Sequence, residues 1–195
     1  MRKIIKKRIQ DNFTLNQAVL QDENIIKLIE EISEKIVDSL SKGGKVFFAG
    51  NGGSFSDSFH LAGEFVSRFM FDRESLPAIA LGGNNSIITA IGNDYHFNQI
   101  FKREISALSK KDDVFIAIST SGNSVNIINA ITIAKENGVH VYGFTGESGG
   151  KMKDICRCIQ VPSNSTPRIQ EIHILIGHVM CELVEDKVFG RNKGN

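Results

Sequence analysis

Apolar residues recur along this chain of 195 residues in two rhythms. Between residues 22 and 40, Ile25, Ile26, Ile29, Ile32, Ile36 and Val37 fall at three- and four-residue spacings, the period of an amphipathic helix. Lys42-Gly43-Gly44 stops it. Residues 4–20 carry a looser apolar scatter compatible with another helix. From residue 45 onward, short and nearly all-apolar runs alternate with helical segments. Strands are predicted at 45–49, 78–81, 113–119, 140–145 and 157–161, and helices at 55–70, 86–92, 95–108, 124–136 and 167–189. Such alternation implies a parallel sheet covered on both faces. The expected fold is α/β: a three-layer α/β/α sandwich around about five parallel strands, one domain over residues 1–195. Two N-terminal helices, residues 1–42, precede it. A minimal core does not need that pair, and helix 167–189 is apolar over much of its circumference. Both features predict a homo-oligomer.

Charge narrows the function classes. Basic residues number 23 against 22 acidic ones, a net charge of +1, which argues against a nucleic-acid tract. A hydrophobic content of 41% argues against disorder. No apolar stretch reaches membrane-span length. The basic start, Met1 to Arg8, lacks the apolar core of a signal peptide and reads as the solvated face of a helix. Three cysteines, Cys156, Cys158 and Cys181, are too few for a disulfide scaffold. On a strand, Cys156 and Cys158 share a face without forming a usual bridge, and a zinc ribbon needs a second pair. They read as small buried residues in a reducing cytosol.

The chemistry-bearing residues sit at strand-to-helix turns, where parallel sheets bind ligands. Ala49-Gly50-Asn51-Gly52-Gly53-Ser54 follows the run Val46-Phe47-Phe48, and Ser119-Thr120-Ser121-Gly122-Asn123-Ser124 follows Val114 to Ile118. Both suit an anion at a helix N-terminus, and the second, rich in hydroxyls, fits a phosphate held by neutral donors. Ser54 and Asp57 match capping-box spacing and set the start of the following helix. His60 and Glu64, four residues apart, share a helical face; the pair can bind a metal, move a proton, or be a plain surface pair. The last helix carries Gln170, Glu171, His173, His178 and Glu182. Gln170 and His178 lie about 12 Å apart along its axis and about 80° apart around it, so both can line one elongated pocket. Gly92-Asn93-Asp94-Tyr95-His96 reads either as a capped turn before a helix or as hydrogen-bond partners for sugar hydroxyls.

Taken together, Gly50-Asn51-Gly52-Gly53-Ser54, His60-x-x-x-Glu64, Gly92-Asn93-Asp94, the serine loop 119–124 and Gln170-x₇-His178 resemble the sugar isomerase (SIS) fold family, within it the phosphoheptose isomerases. The resemblance covers essentially the whole chain. It implies a five-stranded parallel sheet in flavodoxin-like order. It further implies a cytoplasmic homotetramer, with active sites at subunit interfaces, interconverting sedoheptulose 7-phosphate and D-glycero-D-manno-heptose 7-phosphate, the entry step to heptose for lipopolysaccharide core or capsule. By the same resemblance, Ser119, Thr120, Ser121 and Ser124 bind the phosphate. Asn51, Gly52, Gly53, Glu64, Asn93, Asp94 and Gln170 are further substrate positions. Glu64 is the general base and His178 the general acid, and His60, Glu64, Gln170 and His178 form a zinc site.

The chemistry can be argued independently. Moving a carbonyl between C2 and C1 requires removing a carbon-bound proton, and a partly desolvated carboxylate can take it. An imidazole, titrating near neutrality, suits proton transfer at the oxygen. Two non-catalytic alternatives share the fold: a protein that binds a replication initiator, as the DnaA initiator-associating protein does, and a phosphosugar sensor without turnover. The Glu64–His178 set favours the enzyme.

Overall fold

The computed structural model describes residues 1–190; residues 191–195 of the expected domain lie outside the described residues. Helices α1 (Arg2–Gln21) and α2 (Glu23–Ser41) meet at Asp22, whose carboxylate accepts the N–H groups of Asn24 and Ile25 and so starts α2. Ile25, Leu28, Ile29, Ile32 and Ile36 are the buried face of α2, whereas Ile26 points outward. Strands β1 (Val46–Ala49), β2 (Ala78–Ala80), β3 (Val114–Ile118), β4 (His140–Gly146) and β5 (Arg157–Val161) form one sheet. Its order is β2-β1-β3-β4-β5 and every pairing is parallel, the flavodoxin-like order. The connecting helices are α3 (Gly53–Val66), α4 (Asn85–Asp94), α5 (Ile100–Leu108), α6 (Val125–Glu136) and α7 (Thr166–Phe189).

The period of two along a strand divides the core into two layers. Val46 and Phe48 of β1, with Val114 and Ile116 of β3, pack against α2, α3 and α7. Phe47 and Ala49, with Phe115 and Ala117, pack against α5 and α6 on the other face. Burying each of the Val, Ile and Phe side chains among these is worth roughly 1.5–3 kcal/mol. Central strands β1 and β3 are buried throughout, as an all-apolar run demands. Edge strand β5 departs from that expectation: Arg157 and Gln160 are exposed, because only one side of it is paired.

Two boundaries correct the sequence reading. Gly92, Asn93 and Asp94 are not a capped turn but the last turn of α4, which Tyr95 terminates. The single helix predicted at 95–108 is instead a short 3₁₀ turn (Phe97–Gln99) followed by α5, since His96 is extended and its Nδ1 accepts the Asn98 N–H. The capping box also fails. Gly52, at φ +57°, is the N-cap of α3, so Ser54 lies inside the helix and its hydroxyl is free for other work.

Candidate active site

Loops 50–52 and 119–124 leave β1 and β3 side by side, at the point where the chain order of the sheet reverses. A reciprocal amide pair braces them: Asn51 Nδ2 donates to Asn126 Oδ1 at 3.0 Å and Asn126 Nδ2 to Asn51 Oδ1 at 2.8 Å. Between them lies a cavity of about 290 Å³ lined by Asn51, Gly52, Gly53, Ser54, Ile118, Ser119, Thr120, Ser124, Thr166 and Gln170. None of these ten residues is ionisable. Instead, the N-termini of α3, α6 and α7 converge there, and no side chain caps any of the three. Each contributes a partial positive charge and unpaired donors. Ser119 Oγ stands 3.0 Å from Ser124 Oγ and 3.4 Å from Ser121 Oγ, with Ser121 exposed beside the cavity. Gly122 is obligatory: its φ is +65°, and a Cβ there would fall 2.1 Å from Gly149 O.

A second cluster lies farther along the α3–α7 pair. These helices run side by side, with Gln170 Nε2 3.5 Å from Ser54 Oγ at one end and His178 against His60 beyond. Gly177 allows the approach, since a Cβ there would meet Leu61 Cδ2 at 2.5 Å. His60 Nε2 is 3.0 Å from Glu64 Oε1 and 3.3 Å from His178 Nε2. The expected shared face is thus realised, and His178 is a half-open partner of this pair rather than a core histidine. Partial burial holds the His178 imidazole below its ordinary range, the neighbouring His60 adds to this, and Glu64 pulls the other way. His173, five residues earlier on α7, is the true core histidine: it is buried against Thr145 O at 3.1 Å, and burial lowers its pKa to about 4.

His60, Glu64 and His178 each offer a ligand atom, all within 4.8 Å of one another. The donor set, two imidazoles and a carboxylate, suits zinc. The 3.3 Å between the two Nε2 atoms also fits, because tetrahedral zinc with Zn–N of about 2.0–2.1 Å separates two nitrogens by about 3.3–3.4 Å. One buried polar atom nearby is left without a partner, Oδ2 of Asp57, one turn before His60. Burial raises the Asp57 carboxyl, against the pull of His60.

The end of α3 is fixed by residues that sequence reasoning missed. Arg73 donates from Nη2 to Glu64 O at 2.8 Å, from Nη1 to Phe65 O at 2.8 Å and from Nε to Glu185 Oε1 at 2.8 Å. Glu185 accepts the Phe69 and Met70 N–H groups as well. Both side chains are buried. An acidic residue beside Val184 on the otherwise apolar stripe of α7 was the one signal in the sequence. Asn126 and Thr166 carried no signal of their own. Asn93 and Asp94 are not brought to the loop cavity within this chain. They sit exposed at the end of α4, and Asp94 lines a separate cleft of about 390 Å³ with Tyr95, Arg103 and Glu104.

Comparison with known proteins places this fold in a family. The family model described as SIS domain matches residues 14–146. The chain is 51% identical over 194 residues to a phosphoheptose isomerase of Aneurinibacillus thermoaerophilus, covering 99% of this chain and 98% of that one. It is 49% identical to phosphoheptose isomerase 2 of Campylobacter jejuni, covering 96% and 94%. Among solved structures, a phosphoheptose isomerase from Francisella tularensis superposes with a TM-score of 0.90 at 33% identity, over 94% of this chain and 97% of that one.

Proposed function

We propose, because the chain belongs to the SIS domain family and within it to the phosphoheptose isomerases, that it interconverts sedoheptulose 7-phosphate and D-glycero-D-manno-heptose 7-phosphate through an enediol. The chain is an isomerase; the substrate pair and the chemistry are our reading. One observation carries it: a cavity without ionisable lining and a carboxylate–imidazole cluster lie along the same pair of helices, α3 and α7.

Ser119, Thr120, Ser121 and Ser124 hold the phosphate, and Asn51, Gly52, Gly53 and Gln170 hold the adjoining part of the sugar. Asn93 and Asp94 bind sugar hydroxyls. Glu64 removes the proton from the carbon beside the carbonyl and returns it to the neighbouring carbon. His178 exchanges a proton with the carbonyl oxygen, for which an imidazole held below its ordinary range is suited as both donor and acceptor. His60, Glu64 and His178 would hold zinc, with Gln170 as the expected fourth ligand only on turning from Ser54, and the ion would supply Lewis-acid stabilisation of the negative charge that develops on oxygen.

The working form is a homotetramer with its sites at subunit interfaces. Support comes from α1, where Ile4, Ile5, Ile9 and Phe13 are all more than half exposed, and from the open side of the acid–base cluster. The enzyme acts in the cytoplasm and supplies heptose for lipopolysaccharide core or capsule. No helix among the described residues is long and apolar enough to cross a membrane. An NMR assay with sedoheptulose 7-phosphate in D₂O tests the reaction: the aldose appears and deuterium enters at C2. Absence of both interconversion and exchange overturns it. Metal analysis, with activity before and after chelation and zinc return, tests the zinc assignment.

A further inference from the structure

Outside the active site, one cluster of nucleophilic side chains has no part in the chemistry above. Cys156 sits in a bend just before β5, whose bounds match the predicted strand, so the two cysteines do not stand on one strand face. Its Sγ is 3.6 Å from Cys158 Sγ, and both thiols are free. The pair is half-buried at the exposed edge of the sheet and lines an open groove of about 780 Å³. Cys158 holds the Cys156 thiol below its ordinary range by hydrogen bonding, burial opposes this, and the Lys135 ammonium adds to the lowering. Lys135 Nζ is fixed there by donating to Ile155 O. A thiol with these neighbours is the reactive kind. Cys181, by contrast, is buried on α7, and burial pushes its thiol up.

The same segment supports the serine loop. Met152 donates its N–H to Gly122 O at 3.1 Å, and the Lys151 N–H donates to Asn123 Oδ1 at 3.1 Å. Asn123 in turn donates its N–H to Ser121 Oγ at 3.1 Å. The other side of Met152 is held by Cys156: Met152 O accepts the Cys156 N–H at 2.9 Å and the Cys156 thiol at 3.5 Å. Met152 thus joins the thiol pair to the loop, by one bond to Gly122 on one side and by the Cys156 N–H and thiol on the other.

We propose that Cys156 and Cys158 form a reversible intramolecular disulfide whose closure loosens the serine loop. The oxidant is a small-molecule disulfide, RSSR. The Cys156 thiolate attacks one of its sulfurs, breaking the S–S bond, forming Cys156–S–SR and expelling RS⁻. Cys158 then attacks the Cys156 sulfur and expels the second RS⁻. The two protons released by the cysteines end on two RSH. Closing the sulfurs from 3.6 Å to a bond of about 2.0 Å removes the thiol hydrogen that Cys156 donates to Met152 O, leaving its N–H as the one Cys156 donor on that carbonyl. Cytosolic disulfides are usually transient and redox-sensing, so a reducing compartment does not oppose this one.

Intact-mass measurement on the full chain treated with oxidised glutathione tests the bond. The wild type is expected to lose two hydrogens and retain no adduct, with Cys181 unmodified. Cys158→Ser, or Cys158→Ala, retains one glutathione on Cys156. Cys156→Ser reacts about tenfold more slowly. A wild type that keeps both hydrogens, or a Cys156→Ser variant that reacts as fast, overturns the proposal. Hydrogen exchange of peptides covering residues 119–124 and 149–156 tests the coupling independently of any phosphate binding. Oxidation is expected to speed exchange in both by about tenfold. Unchanged exchange at 119–124 with the disulfide formed removes the link to the loop.

Discussion

The two ends of the α3–α7 pair are built on opposite principles. The cavity at the loops is made of backbone: three helix N-termini, two turns that need glycine, and hydroxyls that bond one another. The cluster beyond it is made of side chains: two imidazoles and a carboxylate on helix faces, with His60 half exposed. Backbone donors cannot change protonation, so they suit a group that must stay put throughout turnover. Ionisable side chains can, so they suit the atoms that change. The lesson is a division of labour: a fixed anchor needs no charge, and a proton-moving centre needs neighbours that tune one.

Variants at each end should therefore fail differently. The largest effect is expected from Glu64→Gln, which lowers kcat by about 10²–10⁴-fold with KM nearly unchanged, measured by steady-state kinetics. His178→Gln should lose a similar factor with assembly intact by light scattering; a variant that does not assemble makes His178 a structural residue instead. Next comes Arg73→Ala, which leaves Glu185 buried without its cation and should cost about 3–5 kcal/mol in chemical denaturation. A smaller loss would mean that the end of α3 is not held by this pair.

His173 and His178 sharpen the comparison within one helix. His173 is neutral in the fold and titrates at about 4, against an ordinary value of 6.5. The unfolded chain therefore binds the extra proton first. Its contribution to stability is complete above about pH 6.5 and is lost as pH falls toward 4, on the order of 3 kcal/mol in all. Denaturation across that window should show the slope, and His173→Gln should flatten it. The smallest effect belongs to the anchor: Ser119→Ala removes one of several hydroxyls and should weaken inorganic phosphate binding about tenfold by calorimetry, with kcat little changed.

Much of this was legible in the sequence, for a reason that also marks the limit. Strands β1 and β3, the two loops and the His60–Glu64 pair are local: their signals lie within a few residues. The partners of those residues are not local. Asn126 meets Asn51 across 75 positions, and Arg73 meets Glu185 across 112. Neither pair has a spacing to read. The capping box failed for a subtler cause. Gly52 can take a positive φ and start the helix by backbone alone, which left Ser54 to face Gln170. Of the two readings of Asn93 and Asp94, a capped turn or partners for sugar hydroxyls, the turn fails, because α4 runs through them with Ile91 buried beneath.

The close seam between α3 and α7 has a consequence for selectivity. With Leu61 seated on Gly177, the two helices cannot slide, and the seven residues from Gly53 to His60 set a separation of roughly 10 Å along the axis. On the function proposed above, that spacing acts as a ruler: a phosphosugar one carbon shorter, gripped by the same hydroxyls, would stop short of the carboxylate, so chain length would be measured before any hydroxyl is inspected.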